Sequence, residues 1–448
     1  MEEIQNRRGL IDQIAYRALC GNLGLFTGTG FSIAMNSDAC SFEELVKKIY
    51  NCDESDSKDI PKRFMVESDL KKFPKRFMGL SFPQMVEEIE KVKGRGKVLN
   101  VVEQSCSLNV DESLLNEMKE YISAIKPQWV ITTNYDLIMK QLVDNSRTIG
   151  PYNSFSMQEG TTTIFHMHGH VRDPQNIVVS EKDYVDLLKV DDYRQMKLSS
   201  SLAESSVLFM GYSLSDINVR AALNRAQTYN LNACDEFEKK YPKIYVQAEY
   251  DLSSSDEPTD EVLHDEKDNL YTLKIKDVKK FLKEISDKVK EYDAKYKQYV
   301  ADIEEIKNKG YLKSEKTYRK KVIESLKGAP PKYLNEVSDI FRNVLSNIWK
   351  SSSNDGAFKE YNFFVQVALD LLQDEVILSM KPSLLYEVMR KLDFLGGMYD
   401  PDRRYKGRAW DASVYWKENK GLINTEVKKE MECIAETNEY YNYLHKLV

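Results

Sequence analysis

Trp129-Val130-Ile131-Thr132-Thr133-Asn134-Tyr135-Asp136 reads as a short buried strand that breaks into polar residues at its carboxyl end. In open α/β sheets that end is where ligands bind. Taken alone, the Thr-Asn-Asp run equally suits a cap for the following helix. Its neighbours in sequence give it weight. Upstream, Leu23-Gly24-Leu25-Phe26 leads into Gly28-Thr29-Gly30-Phe31-Ser32; downstream, Val207-Leu208-Phe209-Met210 leads into Gly211-Tyr212-Ser213-Leu214-Ser215-Asp216. Thr163-Ile164-Phe165, Ile177-Val178-Val179 and Lys243-Ile244-Tyr245-Val246 complete a set of short apolar runs bounded by Gly, Asn or Ser. Such runs, with helical patterns between several of them, predict strands covered on both faces of a mostly parallel sheet.

The glycines at 28 and 30 permit positive φ and let the backbone approach a pyrophosphate, whose charge suits a helix N-terminus. Ile33 occupies the place of the third glycine in the dinucleotide fingerprint, and no acidic residue ends a second strand at the expected offset. An ordinary Rossmann dehydrogenase is therefore disfavoured. Phe165-His166-Met167-His168-Gly169-His170 holds three of only five histidines. In an extended segment, period 2 would turn all three to one face, which keeps a zinc-dependent hydrolase as an alternative. Zinc hydrolases need further ligands close by, however, and Gly169 is expected to end the strand. His168, just before a glycine at the mouth of a sheet, is the better general-base candidate, because imidazole titrates near working pH.

The chain of 448 residues is 42% apolar and 30% charged, the balance of a globular protein with more than one domain. Its 71 acidic and 64 basic residues leave a net charge of −7, which argues against a generally basic nucleic-acid binder. The basic run Lys71-Lys72-Phe73-Pro74-Lys75-Arg76 reads as a solvated face. No apolar run approaches the roughly 18–20 residues that span a bilayer, and no secretory apolar stretch follows Met1–Arg8, so a cytoplasmic protein without membrane contact is expected. Cys20, Cys40, Cys52, Cys106, Cys234 and Cys433 include no C-x2-C pair, and buried reduced thiols are expected.

Residues 1–290 read as the α/β domain, with a helical insertion at about 42–103 and an acidic, solvated loop at 251–268. Val278, Leu282, Ile285, Val289, Tyr292, Tyr296, Tyr299, Ile303 and Ile306 then alternate spacings of four and three. That predicts a long helix with one apolar stripe, lying on its own domain or bridging domains or subunits. Residues 291–448 carry no catalytic motif and read as an all-α accessory or assembly domain. Its predicted parts are a helix from Leu334 to Ile348, a helix over Phe363–Met380, a loop at Tyr399–Arg408 and a last helix ending near Leu447. Self-association through the helices after residue 278 is expected.

The four strand-end motifs, G-T-G-x-S, T-T-N-Y-D, x-H-G and G-Y-S-L-S-D in that order, resemble the sirtuin-like NAD-binding domain over about residues 15–285. The resemblance implies a Rossmann-like sheet in which Gly28, Thr29, Gly30 and Ser32 contact phosphate or ribose. It makes Asn134 and His168 the catalytic pair at the nicotinamide ribose, places Asp136 at the nicotinamide end, and gives Gly211, Ser213 and Asp216 the adenosine half. The four-Cys zinc module of deacylating sirtuins is absent, and Ile33-Ala34-Met35-Asn36 replaces their Gly-Ile-Pro-x-Phe-Arg stretch. The combination resembles the sirtuin-like NAD hydrolases of bacterial antiphage defence. That implies NAD as substrate, cleaved between nicotinamide and ribose, with no zinc and no other cofactor. It also implies a homo-oligomer held inactive until a phage-derived activator or a partner such as a HerA-type ATPase switches it on. The alternatives are a non-catalytic NAD or ADP-ribose sensor, a zinc-dependent hydrolase built on His166, His168 and His170, and a protein deacylase.

Overall fold

β1 (Leu23–Thr27) is buried at all its positions, because it lies in the middle of an eight-stranded sheet in the computed structural model. The structure describes residues 4, 6–52, 77, 79–153, 160–187, 193–214, 217–230, 243–250, 260–266, 269–353, 358–398, 409–438, 441 and 444. The other strands are β2 (Trp129–Thr132), β3 (Ser146–Ile149), β4 (Thr162–His166), β5 (Ser206–Met210), β6 (Tyr245–Tyr250), β7 (Val262–Asp265) and β8 (Leu270–Ile275). Their order is β3-β4-β2-β1-β5-β6-β8-β7, parallel throughout except for β7 on β8. The chain builds one side of β1 with β2 to β4 and then crosses to β5 on the other side. That reversal opens a crevice beyond the carboxyl ends of β1, β2 and β5, the position at which such sheets take ligands.

The helices of this part are α1 (Arg7–Leu19), α2 (Thr29–Met35), α3 (Phe42–Asn51), α4 (Phe82–Lys93), α5 (Arg95–Cys106), α6 (Glu112–Ile125), α7 (Ile138–Leu142), α8 (Glu181–Leu187), α9 (Tyr193–Glu204) and α10 (Ile217–Asn230). Across the stretch read as an insertion, the described residues form α3, α4 and α5. Ser41 with Glu44, and Ser81 with Gln84, close reciprocal capping boxes at the starts of α3 and α4, satisfying backbone donors that a helix end leaves open. Leu45, Val46, Ile49, Val86, Ile89, Val98 and Val102 form its own core, which also takes in Tyr135, Ile177 and Val179. The insertion thereby packs on two of the loops that carry the candidate site.

Several expectations need correction. Ile177-Val178-Val179 is buried but joins no strand. Its peptide groups are used by loops instead: Val178 N–H donates to the His168 carbonyl at 2.9 Å, and the Val178 carbonyl accepts from Tyr135 Oη at 2.7 Å. The acidic stretch is not all loop, since β7 forms an edge strand within it; residues 251–259 lie outside the described residues. Among the described cysteines, Cys20, Cys40, Cys52 and Cys106 are only partly buried and Cys433 is exposed. The run Lys71–Arg76 and the loop Tyr399–Arg408 also lie outside the described residues.

The long helix runs from Val278 to Asn308, and the chain divides into two compact units within it, Met1–Glu291 and Tyr292–Val448. Val278, Leu282, Ile285 and Val289 of the stripe are buried in the first unit, and Ile303 joins the core of the second. The second unit is helical: Lys316–Leu326, Pro331–Ser353, Glu360–Leu372, Pro382–Met398, Trp410–Asn419 and Thr425–Glu436 surround Phe341, Phe364, Leu392 and Trp416. The helix expected over Phe363–Met380 ends at Leu372, because Asp374 caps a separate 3-10 turn over Glu375–Ser379. The expected final helix is two helices, the second begun by Asn424, whose side chain accepts from the Glu426 and Val427 amides. Among the described residues no helix is long and apolar enough to cross a membrane.

Candidate active site

The two glycine motifs are two sides of one contact. Gly28 N–H donates to the Met210 carbonyl at 3.0 Å and Gly30 N–H to the Gly211 carbonyl at 2.9 Å, joining the turn after β1 to the turn after β5. Gly211 adopts φ of +60°, and a Cβ there would lie 2.0 Å from the Phe31 nitrogen, so only glycine fits. Tyr250 Oη donates to the Gly30 carbonyl at 3.0 Å and ties β6 to the same turn. This backbone contact carries Thr29 and Ser32, on the short helix α2, to the rim of the crevice.

Beyond β2, Thr132 Oγ1 donates to the Thr27 carbonyl at 3.1 Å and accepts the Asn134 N–H at 3.1 Å. The chain is thereby turned so that Asn134 faces α2. Asn134 Nδ2 donates to Ser32 Oγ, and Ser32 Oγ donates to Asp136 Oδ2, each at 2.7 Å. Asp136 Oδ1 accepts the Ile138 amide at 3.0 Å, starting α7. Burial pushes the Asp136 carboxyl above its usual range, with the Ser32 hydroxyl and the Ile138 amide acting in the opposite direction. Asn134 Oδ1 is buried and has no hydrogen-bond partner among the described residues. A buried acceptor without a donor is costly, which makes it a candidate for a ligand or water hydrogen bond.

His168 follows β4 in a turn. Gly169 has φ of +83°, and a Cβ on it would lie 2.6 Å from the Asn176 carbonyl oxygen, so glycine at 169 is required for the turn that presents His168. The imidazole packs edge-on against Tyr184 at 5.0 Å between centroids, with Tyr184 Oη 3.4 Å from Nδ1. The three histidines do not share one face, because β4 ends at His166. His166 is fully buried with Nδ1 3.0 Å from the Asn134 carbonyl oxygen, and burial lowers its pKa to about 4. His170 packs against the His166 ring at 5.2 Å. Among the described residues no three His, Cys, Asp or Glu side chains are grouped to hold a metal ion.

Thr29, Ser32, Asn134, Asp136, His168, Gly211 and Ser213 line one cleft of about 680 Å³, within the range of small-molecule sites. Gly28 and Gly30 are not among its lining residues and lie against the 211–212 turn. Asp216 lies outside the described residues. The apolar part of the lining comes from the insertion, the segments flanking it and α8: Phe42, Leu45, Pro83, Leu108 and Val185, together with Cys40 and Cys106. Burial raises both thiols, which keeps them protonated and poorly reactive. Tyr184 and Glu181 also line the cleft and were missed in the sequence. The S-x-x-D signature of Ser180 and Asp183 marked the helix that carries them, and Ser180 N–H does donate to Asp183 Oδ2 at 3.0 Å.

With the four motif ends gathered at one sheet edge, comparison with known proteins adds a family. Residues 128–266 match the SIR2-like domain family. The α/β unit carries a SIR2-like domain. The matched segment of this SIR2-like domain holds Asn134, Asp136, His168, Gly211 and Ser213, while the glycine loop at 28–32 precedes it. The chain is also 27% identical over 146 residues to the NAD(+) hydrolase ThsA of Bacillus cereus (strain MSX-D12). That alignment spans 31% of this chain and 30% of the relative, so the likeness covers less than a third of either protein.

Proposed function

We propose that the protein is an NAD hydrolase that releases nicotinamide from ribose and, once activated, depletes cellular NAD in antiphage defence. The observation that carries this reading is the hydrogen-bonded series Asn134–Ser32–Asp136 meeting His168 in one cleft at the carboxyl edge of the sheet. The SIR2-like match and the likeness to an NAD(+) hydrolase support it.

The chemistry needs little from the protein beyond placement and electrostatics. Nicotinamide leaves as a neutral molecule, so the C1′–N bond breaks through an oxocarbenium-like state. Water then adds at C1′ and loses one proton, giving ADP-ribose, nicotinamide and H⁺. Asn134 Oδ1, otherwise without a donor, accepts a hydrogen bond from that water or from a ribose hydroxyl. His168 takes the proton, a role that typically contributes 10²–10⁴-fold. Asp136 acts from behind Ser32, its carboxylate opposing the positive charge that develops on the sugar. No step calls for a metal ion or a cofactor besides the NAD substrate. Homo-oligomerisation and a phage-derived or HerA-type partner belong to the same proposal as the means of holding the activity off.

The test is chromatographic measurement of nicotinamide and ADP-ribose after mixing the purified protein with NAD, alone and with infected-cell extract or the neighbouring gene product. Release of the two in equal amounts is expected in at least one condition. NAD that binds yet stays intact in every condition overturns hydrolysis and leaves the sensor.

A further inference from the structure

We propose that His166 is a positioning residue for this reaction, holding Asn134 in place through the backbone; the role rests on the hydrolase reading above. β2 and β4 pair in parallel with Thr132 opposite His166, so the imidazole lies where β2 gives way to the Asn134 turn. Its Nδ1 is 3.0 Å from the Asn134 carbonyl oxygen. A carbonyl only accepts, so Nδ1 carries the proton and the tautomer is fixed. Burial keeps the ring neutral, with its pKa near 4.

Both backbone polar groups of Asn134 are thereby anchored, the N–H on Thr132 Oγ1 and the carbonyl on His166. The side chain is in turn held by Nδ2 on Ser32, and Oδ1 is left as the residue's one polar atom without a partner among the described residues. The placement of Oδ1 against the ribose is therefore set by the peptide plane that His166 holds. A core histidine with no such role would affect folding alone. The geometry instead couples this one to the reacting sugar, where about 1 Å of misplacement can lower a rate on the order of 10²-fold.

The experiment compares His166→Leu, which keeps bulk and loses the donor, with His166→Asn, whose side-chain amide N–H stands at the same distance from Cβ as Nδ1–H. His166→Leu is expected to lower kcat for nicotinamide release roughly 10²-fold with KM for NAD within about threefold, and His166→Asn to recover most of that loss. An active wild type with kcat unchanged in His166→Leu overturns the role, as does His166→Asn no faster than His166→Leu, or kcat and KM worsening together with thermal stability. A wild type that releases no nicotinamide removes the hydrolase reading, and the role falls with it. The geometry has its own readout. In ¹⁵N-histidine spectra of a chain with five histidines, one ring should remain the neutral Nδ1–H tautomer from pH 8 to about pH 5. If none does, the contact with Asn134 is wrong whatever the enzyme does.

Discussion

The side-chain amide of Asn134 donates to the hydroxyl of Ser32 at 2.7 Å, joining residues 102 apart in the chain. The Ser32 hydroxyl has one proton and gives it to Asp136. The direction of the series is thereby fixed: Asp136 orients Ser32, Ser32 orients the amide, and the amide oxygen is left buried without a donor among the described residues.

Ser32→Ala should break this series at its middle. Loss of a buried hydrogen bond to a carboxylate is worth about 1.5–3 kcal/mol. The pH dependence has a definite sign. Asp136 is raised by burial, so relative to the unfolded chain its contribution to stability is present below the usual carboxylate value near 4 and fades as pH rises through the folded value. Removing the Ser32 donor raises Asp136 further, and the gap in stability between variant and wild type should widen as pH rises above the usual carboxylate value near 4. Thermal unfolding followed over that rise checks it; a gap independent of pH would show that Ser32 does not bear on the carboxylate.

Asn134→Ala and His168→Ala should each abolish nicotinamide release with the fold intact by circular dichroism. A general base contributes 10²–10⁴-fold, so His168→Ala retaining more than about a tenth of the wild-type rate would exclude that role.

Gly169→Ala should be more damaging than Gly160→Ala, although both positions have positive φ, +83° and +73°. At Gly160 a Cβ meets nothing within 4 Å, so only backbone strain of about 1 kcal/mol is expected. At Gly169 the Cβ meets the Asn176 carbonyl at 2.6 Å and forces the His168 turn to move. Differential unfolding temperatures, together with a loss of nicotinamide release confined to Gly169→Ala, are the expected result.

How far the sequence reached depended on the range of the signal. Residues at the strand ends were readable because an apolar run stopping at Gly, Asn or Ser is a local pattern, and Ser32, Asn134, His168 and Ser213 do line one cleft. Ile177-Val178-Val179 misled for the same reason. Its apolar, β-branched run is buried like a strand, yet its peptide groups bond to His168 and Tyr135 rather than to a ladder, and nothing local distinguishes the two. β7 was hidden in an acidic stretch because an exposed edge strand needs little apolar surface. His166 was legible as a histidine in a strand, but its link to Asn134 spans 32 residues and exists only once β2 and β4 are paired.

The same long-range logic makes Arg95 the next residue to test. From the start of α5 its Nη1 reaches Glu90 at 2.5 Å and Asp183 at 2.8 Å, and its Nη2 the Ile177 carbonyl at 2.6 Å. Asp183 Oδ2 also accepts the Val179 and Ser180 amides, each at 3.0 Å, and Val178 between these contacts holds the His168 carbonyl. The insertion is thus clasped to the loop beneath His168. Burial alone would raise Asp183, but the two amides and the guanidinium outweigh it and hold the carboxyl below its usual range. A lowered carboxyl stabilises the fold above the usual value near pH 4, and that contribution is lost as pH falls through the lower folded value. Arg95→Met keeps much of the aliphatic stem and removes the charge, so Asp183 should rise and acid unfolding should begin at higher pH. Because both groups are partly exposed, the loss at pH 7 should be about 1–2 kcal/mol rather than that of a sealed pair. Nicotinamide release should fall several-fold with it, since the His168 loop loses its clasp. Unfolding midpoints from pH 3 to pH 7 and initial rates on one preparation measure both, and an acid midpoint that does not move would show that Arg95 does not hold Asp183.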